Sequence, residues 1–427
     1  MDRFTGIIGI LLILSIAFLL SNNRKAISPR VIISGLLLQL GLAIFILKTP
    51  IGQSIFGTLG NWVTKLLDFS DRGAEFVFGF LVKKEILDAV LGPGNSFIFM
   101  FKILPTIIFV AVLVSIAYHI GLMQRIVAVF ARVMLKIMNV SGSEALSNVA
   151  SAFVGQVEAQ IMIKPYLSKM TMSELLASMS GSMACIAGGV MAIYISMGVP
   201  ANLLIAASLM AAPAALVISK IVMPETQPSE TKGKVSLEVK KTYNNFMDAV
   251  SHGASDGMKV SLNVIAMLIG VIALIALIDF ILGKFGMLIF DWTSYGSFLG
   301  MNLQQLSLKE ILGSIFSVFA WAMGVPSQDI HVAGQLLGTK LAVNEFVAYS
   351  DLTPMIAAQT LNEKTLIIIS IALCGFANFS SIAIQVGGIG ELAPTRRADL
   401  ASLGFKALIC GTLASYLSAT VAGILLG

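Results

Sequence analysis

Two polar stretches about 190 residues apart carry the carboxylates and amides able to do chemistry in an otherwise apolar chain. They are Gly155-Gln156-Val157-Glu158-Ala159-Gln160 and Asn344-Glu345-Phe346. Glu158 is the only charged residue between Ala145 and Ile163. A charged side chain in hydrocarbon costs roughly 2.5–3.5 kcal/mol on insertion scales, so an intramembrane carboxylate is a site hypothesis by default. A third polar patch, Asn378, Ser380 and Ser381, sits with Phe376 and Phe379 inside the uncharged run 365–390. Carboxylates accept hydrogen bonds from hydroxyls and N–H groups, while amides and hydroxyls both give and accept. These residues suit recognition of a polar, neutral small molecule. Nothing among them forms a nucleophile–base pair. His119, His252 and His331 are scattered, and Cys185, Cys374 and Cys410 lack a CxxC partner. Enzyme chemistry, a metal and a cofactor are therefore not expected. Gly387-Gly388-Ile389-Gly390 is glycine-rich but lacks the strand-then-helix setting of a phosphate loop.

The elements that must position these residues are membrane helices. The chain has 427 residues, 57% hydrophobic and 12% charged, with a mean hydropathy of +0.90. Soluble domains carry roughly 25% charged residues. The 28 basic residues exceed the 23 acidic ones, with no dense Lys/Arg run interleaved with aromatics. That excess fits cytoplasmic loops facing a lipid bilayer and not nucleic acid. Uncharged stretches near spanning length occur at 5–23, 31–47, 103–118, 175–219, 260–278, 311–328, 365–390 and 407–427. About 20 apolar residues span a bilayer as a helix, so 175–219 must break, and Gly198-Val199-Pro200 supplies the break. Segments 50–68 and 74–91 read as amphipathic interface helices. Arg24, Lys25 and Arg30 make the first turn cytoplasmic and put Met1 outside, and Arg396 and Arg397 mark a second cytoplasmic turn at 391–399. Lys164 is expected to snorkel at the interface. Asp329 and His331 read as solvated or capping, and His119 as a satisfied helix-end residue.

A weak internal repeat links the two halves. Met138–Glu144 and Met323–Asp329 are turns with a capping Ser or Pro and an acid. Each precedes a segment with one glutamate, Glu158 or Glu345. Each is followed by an uncharged helix interrupted at Cys185–Gly189 or Gly375–Ser381. Broken helices at matching places in two halves point to a midplane binding site.

In these motifs the chain resembles the concentrative nucleoside transporters of bacterial type. The likeness runs over nearly the whole length and is strongest at 138–200 and 323–391. It rests on Gly-Gln-x-Glu-Ala, Asn-Glu-Phe-Val-Ala and Phe-Ala-Asn-Phe-Ser-Ser-Ile in that order. The resemblance implies an all-α integral membrane fold: eight transmembrane helices, two re-entrant hairpins, an inverted repeat and elevator-type transport. It implies a homotrimer in the bacterial inner membrane. Scaffold helices would occupy 1–117, and the first half of the transport domain 118–222. A polar linker would follow at 223–256, a scaffold helix and connector at 257–300, and the second half of the transport domain at 301–427. Gln156 and Glu158, with Val157 and Val190 beside them, would face a nucleobase, and Phe376 would contact it. Glu345, Asn378 and Ser381 would hold the ribose hydroxyls.

Two departures from the family bear on mechanism. Thr is common where this chain has Val157, and Pro where it has Gln160, which leaves base preference open. Sodium-coupled members use an Asn side chain, a Ser hydroxyl and backbone carbonyls. The matching region here is Ser151, Val154, Cys185 and Ile186. Sodium prefers hard oxygen ligands over a thiol, so proton coupling through Glu158 or Glu345 is the expectation, with sodium as the alternative. Asn148, one turn from Ser151, offers the amide oxygen by which a sodium site would be rescued. A sugar or carboxylate carrier is the competing transport reading, and two glutamates argue against an anionic substrate. A non-transporting nucleoside-recognition protein would need only one half of the repeat.

Overall fold

The computed structural model describes residues 2–91, 98–233, 243–293, 297–298, 301–302, 304 and 306–426. Residues 234–242 of the polar linker, parts of the connector near 294–305 and the last residue of the 407–427 stretch lie outside these. The described chain is helical apart from a two-residue ladder, β1 (Ser297–Phe298) with β2 (Met301–Asn302).

The chain opens with α1 (Asp2–Leu19), α2 (Pro29–Lys48), α3 (Pro50–Phe78), α4 (Lys84–Leu91) and α5 (Phe99–His119). Two helices cover the segments 50–68 and 74–91, but the break between them falls after Phe78 and not at 69–73. A single helix, α3, continues through Asp68, Asp71 and Arg72 and ends at Gly79 with φ +60°. Charges along one face do not interrupt a helix, whereas a left-handed residue does.

Two similar series follow. The first is α6 (Leu122–Met138), a hairpin of α7 (Gly142–Ser151) with α8 (Glu158–Ile161) and α9 (Lys164–Leu167), the broken pair α10 (Met172–Ala184) and α11 (Gly188–Ser196), then α12 (Ala201–Val222). The connecting helix α13 (Phe246–Thr293) starts earlier than the polar composition suggests, so residues 246–256 of the 223–256 segment are helical. The second series is α14 (Leu308–Ala322), a hairpin of α15 (Ile330–Ala342) and α16 (Glu345–Ala357), the broken pair α17 (Glu363–Leu373) and α18 (Phe379–Leu392), then α19 (Arg397–Leu426). The order turn, hairpin, broken helix is the repeat expected from the sequence, and each copy is flanked by an unbroken helix on either side.

Capping chemistry fixes where these helices begin. Ser141 and Glu144 close a capping box on α7, and Thr171 and Glu174 close one on α10. Asp329 is buried rather than solvated and caps a neighbour: its carboxylate accepts from Asn362 N at 3.0 Å and Thr365 Oγ1 at 2.6 Å at the start of α17. His331 lies 3.2 Å from Glu310. His119 ends α5 as expected, but its buried Nδ1 lacks a partner. Lys164 is exposed.

Six helices are long and apolar enough to cross a membrane: Pro29–Lys48, Met100–His119, Met172–Ser196 across its break, Ala201–Val222, Phe246–Phe290 and Pro394–Leu426. The apolar part of α1, Thr5–Leu19, is shorter, and α17–α18 is broken in its middle. The count of six is of the described residues. The core gathers around α19, which packs against α10, α12, α17 and α18. By contrast α13 packs along α5 and leaves its apolar window only 6% buried. Gly253 and Gly257 permit that contact, since a Cβ on either would fall 2.7 Å from a backbone atom of α5.

The turns marked by basic residues share one side of the molecule. Asn22 N donates to Val222 O at 3.0 Å, and Ser173 Oγ to Met223 O at 2.6 Å. Arg396 Nη1 donates to Met170 O at 2.6 Å. The turns at 20–28 and 391–399 therefore lie on the same side of the molecule, consistent with the shared side expected from their basic residues.

Candidate functional site

The hairpin tips and the two helix breaks enclose a cavity of about 530 Å³. Gly155–Glu158 and Asn344–Phe346 approach from the tips. Ala187–Val190, Phe376, Asn378 and Ser381 come from the breaks. All eight residues expected to touch substrate line it: Gln156, Val157, Glu158, Val190, Glu345, Phe376, Asn378 and Ser381. Ile107, Ala111, Val114 and Tyr118 of α5 close the far wall, with Val260, Asn263, Val264 and Met267 of α13.

Glu345 is the anchor of one end. It is 5% exposed, far from the membrane-surface position that nearby Lys340 and Asp351 would allow. Its Oε1 accepts from Tyr194 Oη at 3.2 Å, and its Oε2 from Asn378 Nδ2 at 3.0 Å. Asn378 is fixed in turn as the N-cap of α18. Its Oδ1 accepts from Ser381 N at 3.0 Å and Ser380 Oγ at 2.7 Å. Asn344 caps α16 in the same way, accepting from Val347 N at 2.9 Å. The polar residues in this break thus serve first as caps, which orients their remaining donors into the cavity. Tyr194 is held by stacking on Tyr349, with ring centroids 4.2 Å apart.

The other end is built on the first hairpin. Gln156 Nε2 donates to Ser381 Oγ at 3.4 Å, and Gln156 Oε1 accepts from Gln385 Nε2 at 3.2 Å. Gln385 also donates to Met179 O. Glu158 is exposed to the cavity and makes no hydrogen bond or ion pair among the described residues. Val157 packs onto Gly388, where any Cβ would fall 2.5 Å from its Cγ2. Gly387–Gly390 therefore belongs to a packed helix face of α18 and not to a phosphate loop.

The coupling-ion region is assembled differently. Of its four residues Val154 lines the cavity, while Ser151, Cys185 and Ile186 are buried behind it. Ser151 Oγ donates to Ser147 O at 2.7 Å and lies 2.9 Å from Ser182 Oγ. Gln160 reaches the same spot. Its Nε2 donates to Ser182 Oγ at 2.8 Å, and its Oε1 accepts from Ser178 Oγ at 2.6 Å. The Cys185 thiol turns away toward Ser208 O at 3.7 Å. Asn148 spends its NH2 on Glu144 O and Ala177 O, and its Oδ1 presses against Gly181. Among the described residues no group of three or more His, Cys, Asp or Glu is placed to hold a metal ion.

Tyr194, Gln385, Asn263 and Tyr118 were not singled out in the sequence. For Gln385 a signal existed: Asn378, Ser381 and Gln385 repeat at helical spacing on one face. The site as a whole offers a carboxylate with amide and hydroxyl neighbours at one end. At the other it offers an amide and a second carboxylate, with the Phe376 ring between apolar walls. That suits a ligand with vicinal hydroxyls and a flat polar heterocycle.

Comparison with known proteins agrees with this geometry. Three family models match consecutive parts of the chain: Na+ dependent nucleoside transporter N-terminus at 8–81, Nucleoside recognition at 100–201, and Na+ dependent nucleoside transporter C-terminus at 203–423. The putative nucleoside permease NupX of Escherichia coli is 38% identical over 428 residues, 100% of both chains. The nucleoside permease NupC of Helicobacter pylori is 36% identical, over 99% of this chain and 97% of its own. A solved structure of CNTnw in an inward-facing substrate-bound state superposes with a TM-score of 0.92. It shares 39% identity and covers 100% of this chain and 98% of its own.

Proposed function

The chain belongs to the concentrative nucleoside transporter family, membrane transporters and not enzymes, and from that premise we propose that it imports nucleosides by proton symport. The observation that carries the substrate assignment is Glu345, buried at the cavity wall between Tyr194 Oη and Asn378 Nδ2. A carboxylate held this way keeps lone pairs for two ribose hydroxyls, with Ser381 beside it. Gln156 and Glu158 meet the base edge, and Phe376 its face. A buried site built to bond hydroxyls discriminates strongly against analogues lacking them, because its own groups are then left unpaired.

Proton coupling is supported by how the ion region is filled. Ser151 is engaged with Ser147 O and Ser182, and Cys185 offers sulfur. That leaves one hydroxyl oxygen, already shared with Ser182, where sodium favours several hard oxygens, and a sulfur in place of another. Glu158 stands in the cavity without a counter-charge and is the proton carrier in this reading. The sodium alternative is favoured by the Na+ dependence in the names of two matching family models and by a relative, the sodium/nucleoside cotransporter 1 of Mus musculus, 37% identical over 99% of this chain and 64% of its own.

Movement is elevator-like in this proposal. The hairpins and broken helices carry the substrate past a scaffold of α5 and α13, which contribute only one cavity wall. The lipid-facing length of α13 supports a homotrimer, and the bacterial relatives support residence in the inner membrane.

Uptake into proteoliposomes across a nucleoside panel, under separate proton and sodium gradients, tests the whole. Exchange of labelled uridine or another nucleoside is expected, accelerated by an inward proton gradient. No exchange of any nucleoside would sink the substrate reading. Acceleration by sodium at fixed pH and membrane potential would sink the coupling reading.

A further inference from the structure

Lys340 is 1% exposed, near the tip end of α15. Its ammonium donates to Ala372 O at 2.7 Å. Ala372 is the penultimate residue of α17, in the last turn, where carbonyls lose their helical partners and partial negative charge accumulates. From the other limb of the same hairpin, Glu345 meets the far side of the same break. It accepts from Asn378, the cap of α18. Cations are favoured at helix ends and anions at helix starts. The second hairpin thus brings one of each, in the matching order, to the two half-helices. Cys374 in the break, Tyr349 on α16 and Tyr194 on α11 are the other titratable groups here, and Glu345 is the acid whose charge Lys340 feels.

The first repeat lacks this arrangement. Its break runs from Ala184 to Gly188, and the hairpin side chain nearest in role is the neutral Ser151. Between Ala145 and Ile163 there is an acid, Glu158, and no Lys or Arg. One repeat therefore carries a cation at its break, and the corresponding stretch of the other carries none.

We propose that Lys340 is a tethered cation that closes the end of α17 and so fixes the α17–α18 break, and Glu345 across it, in their binding geometry. It is a positioning residue and does not touch substrate. The proposal rests on the reading of Glu345 as the sugar-binding carboxylate.

The test compares nucleoside affinity and melting temperature of the purified protein with those of Lys340→Arg, Lys340→Met and Lys340→Ala. Met matches the length of Lys without its charge. We expect Lys340→Met to lose roughly tenfold in affinity, as a buried helix-end carbonyl left without its charged donor would, and Lys340→Arg to lose less. Ethylammonium, but not ethanol, should raise the affinity and melting temperature of Lys340→Ala and leave the parent unchanged. In the Glu345→Gln background, replacing Lys340 by Met should cost little more, since coupled residues are not additive. Parent-like affinity of Lys340→Met overturns the proposal. If that variant does not fold, equal effects of ethylammonium and ethanol on Lys340→Ala overturn it. A parent that binds no nucleoside defeats the substrate reading instead, and ammonium-specific stabilisation of Lys340→Ala then decides the tethered cation alone.

Discussion

Glu345 on the second hairpin is buried, accepts from Tyr194 and Asn378, and has Lys340 within electrostatic reach. Glu158 on the first hairpin faces the open cavity, has no hydrogen-bond partner and no basic residue within its segment. The limbs differ in the same sense. The return limb of the second hairpin is one regular helix, α16, while that of the first is two short turns, α8 and α9, parted before Pro165. A carboxylate with every neighbour fixed is suited to holding a neutral ligand in one pose. A carboxylate with none keeps its oxygens open to whatever enters the cavity. On the proposed reading, the two repeats divide binding from coupling.

The largest expected effect breaks the binding half. Glu345→Gln keeps the shape but replaces two charged acceptor oxygens by one neutral one. Hydrogen bonds to a charged group are worth about 1.5–3 kcal/mol, so riboside uptake should fall by roughly 10- to 100-fold. Near-normal uptake by this variant would remove the ribose assignment. Glu158→Gln tests the other half. Nucleoside counterflow should persist at a reduced rate, while acceleration by an inward proton gradient should vanish. Retained proton-driven accumulation would return the coupling role to Glu345. Ser381→Ala comes next. It removes one hydroxyl, worth about 1 kcal/mol or about fivefold in affinity, clearly less than Glu345→Gln. An effect as large as that of Glu345→Gln would mean that Ser381, and not the carboxylate, organises the sugar end.

How much of this was legible in the sequence follows from whether the relevant force is local. Asn378 and Ser381 stood out because polar residues are rare in an uncharged run. Ser141 with Glu144 announced a helix start by spacing alone. Lys340 did not stand out, since its partner, Ala372 O, lies 32 residues away and its burial depends on how hairpin and broken helix pack. Judged from its neighbours alone, it suggested a surface position for Glu345, the reverse of what packing produces. Tyr194 was hidden for the same reason: its hydroxyl meets Glu345 from 151 residues away. The boundary at Phe246 was missed because His252, Asp256 and Lys259 look like loop composition, although they lie along one helix with α5 beside it.

The smallest expected effect is the most exacting test of the first hairpin. Cys185→Ser replaces sulfur with oxygen at the ion region, so on ligand chemistry alone it should invite sodium. The geometry argues otherwise. Cys185 points to Ser208 O, and a serine there would find the same acceptor ready. Ser151 would still be tied to Ser147 O and Ser182, with Gln160 holding Ser182 from the other side. Asn148 has its NH2 committed to two carbonyls, and its buried Oδ1, without a hydrogen-bond partner among the described residues, is packed on Gly181. Uptake by Cys185→Ser should therefore stay independent of sodium at fixed pH and membrane potential. A sodium-stimulated rate in this single variant would show that the hydroxyl network around Ser151 yields to a cation. The contrast between a fixed second hairpin and an ion-exchanging first one would then rest on Lys340 and Glu158 alone.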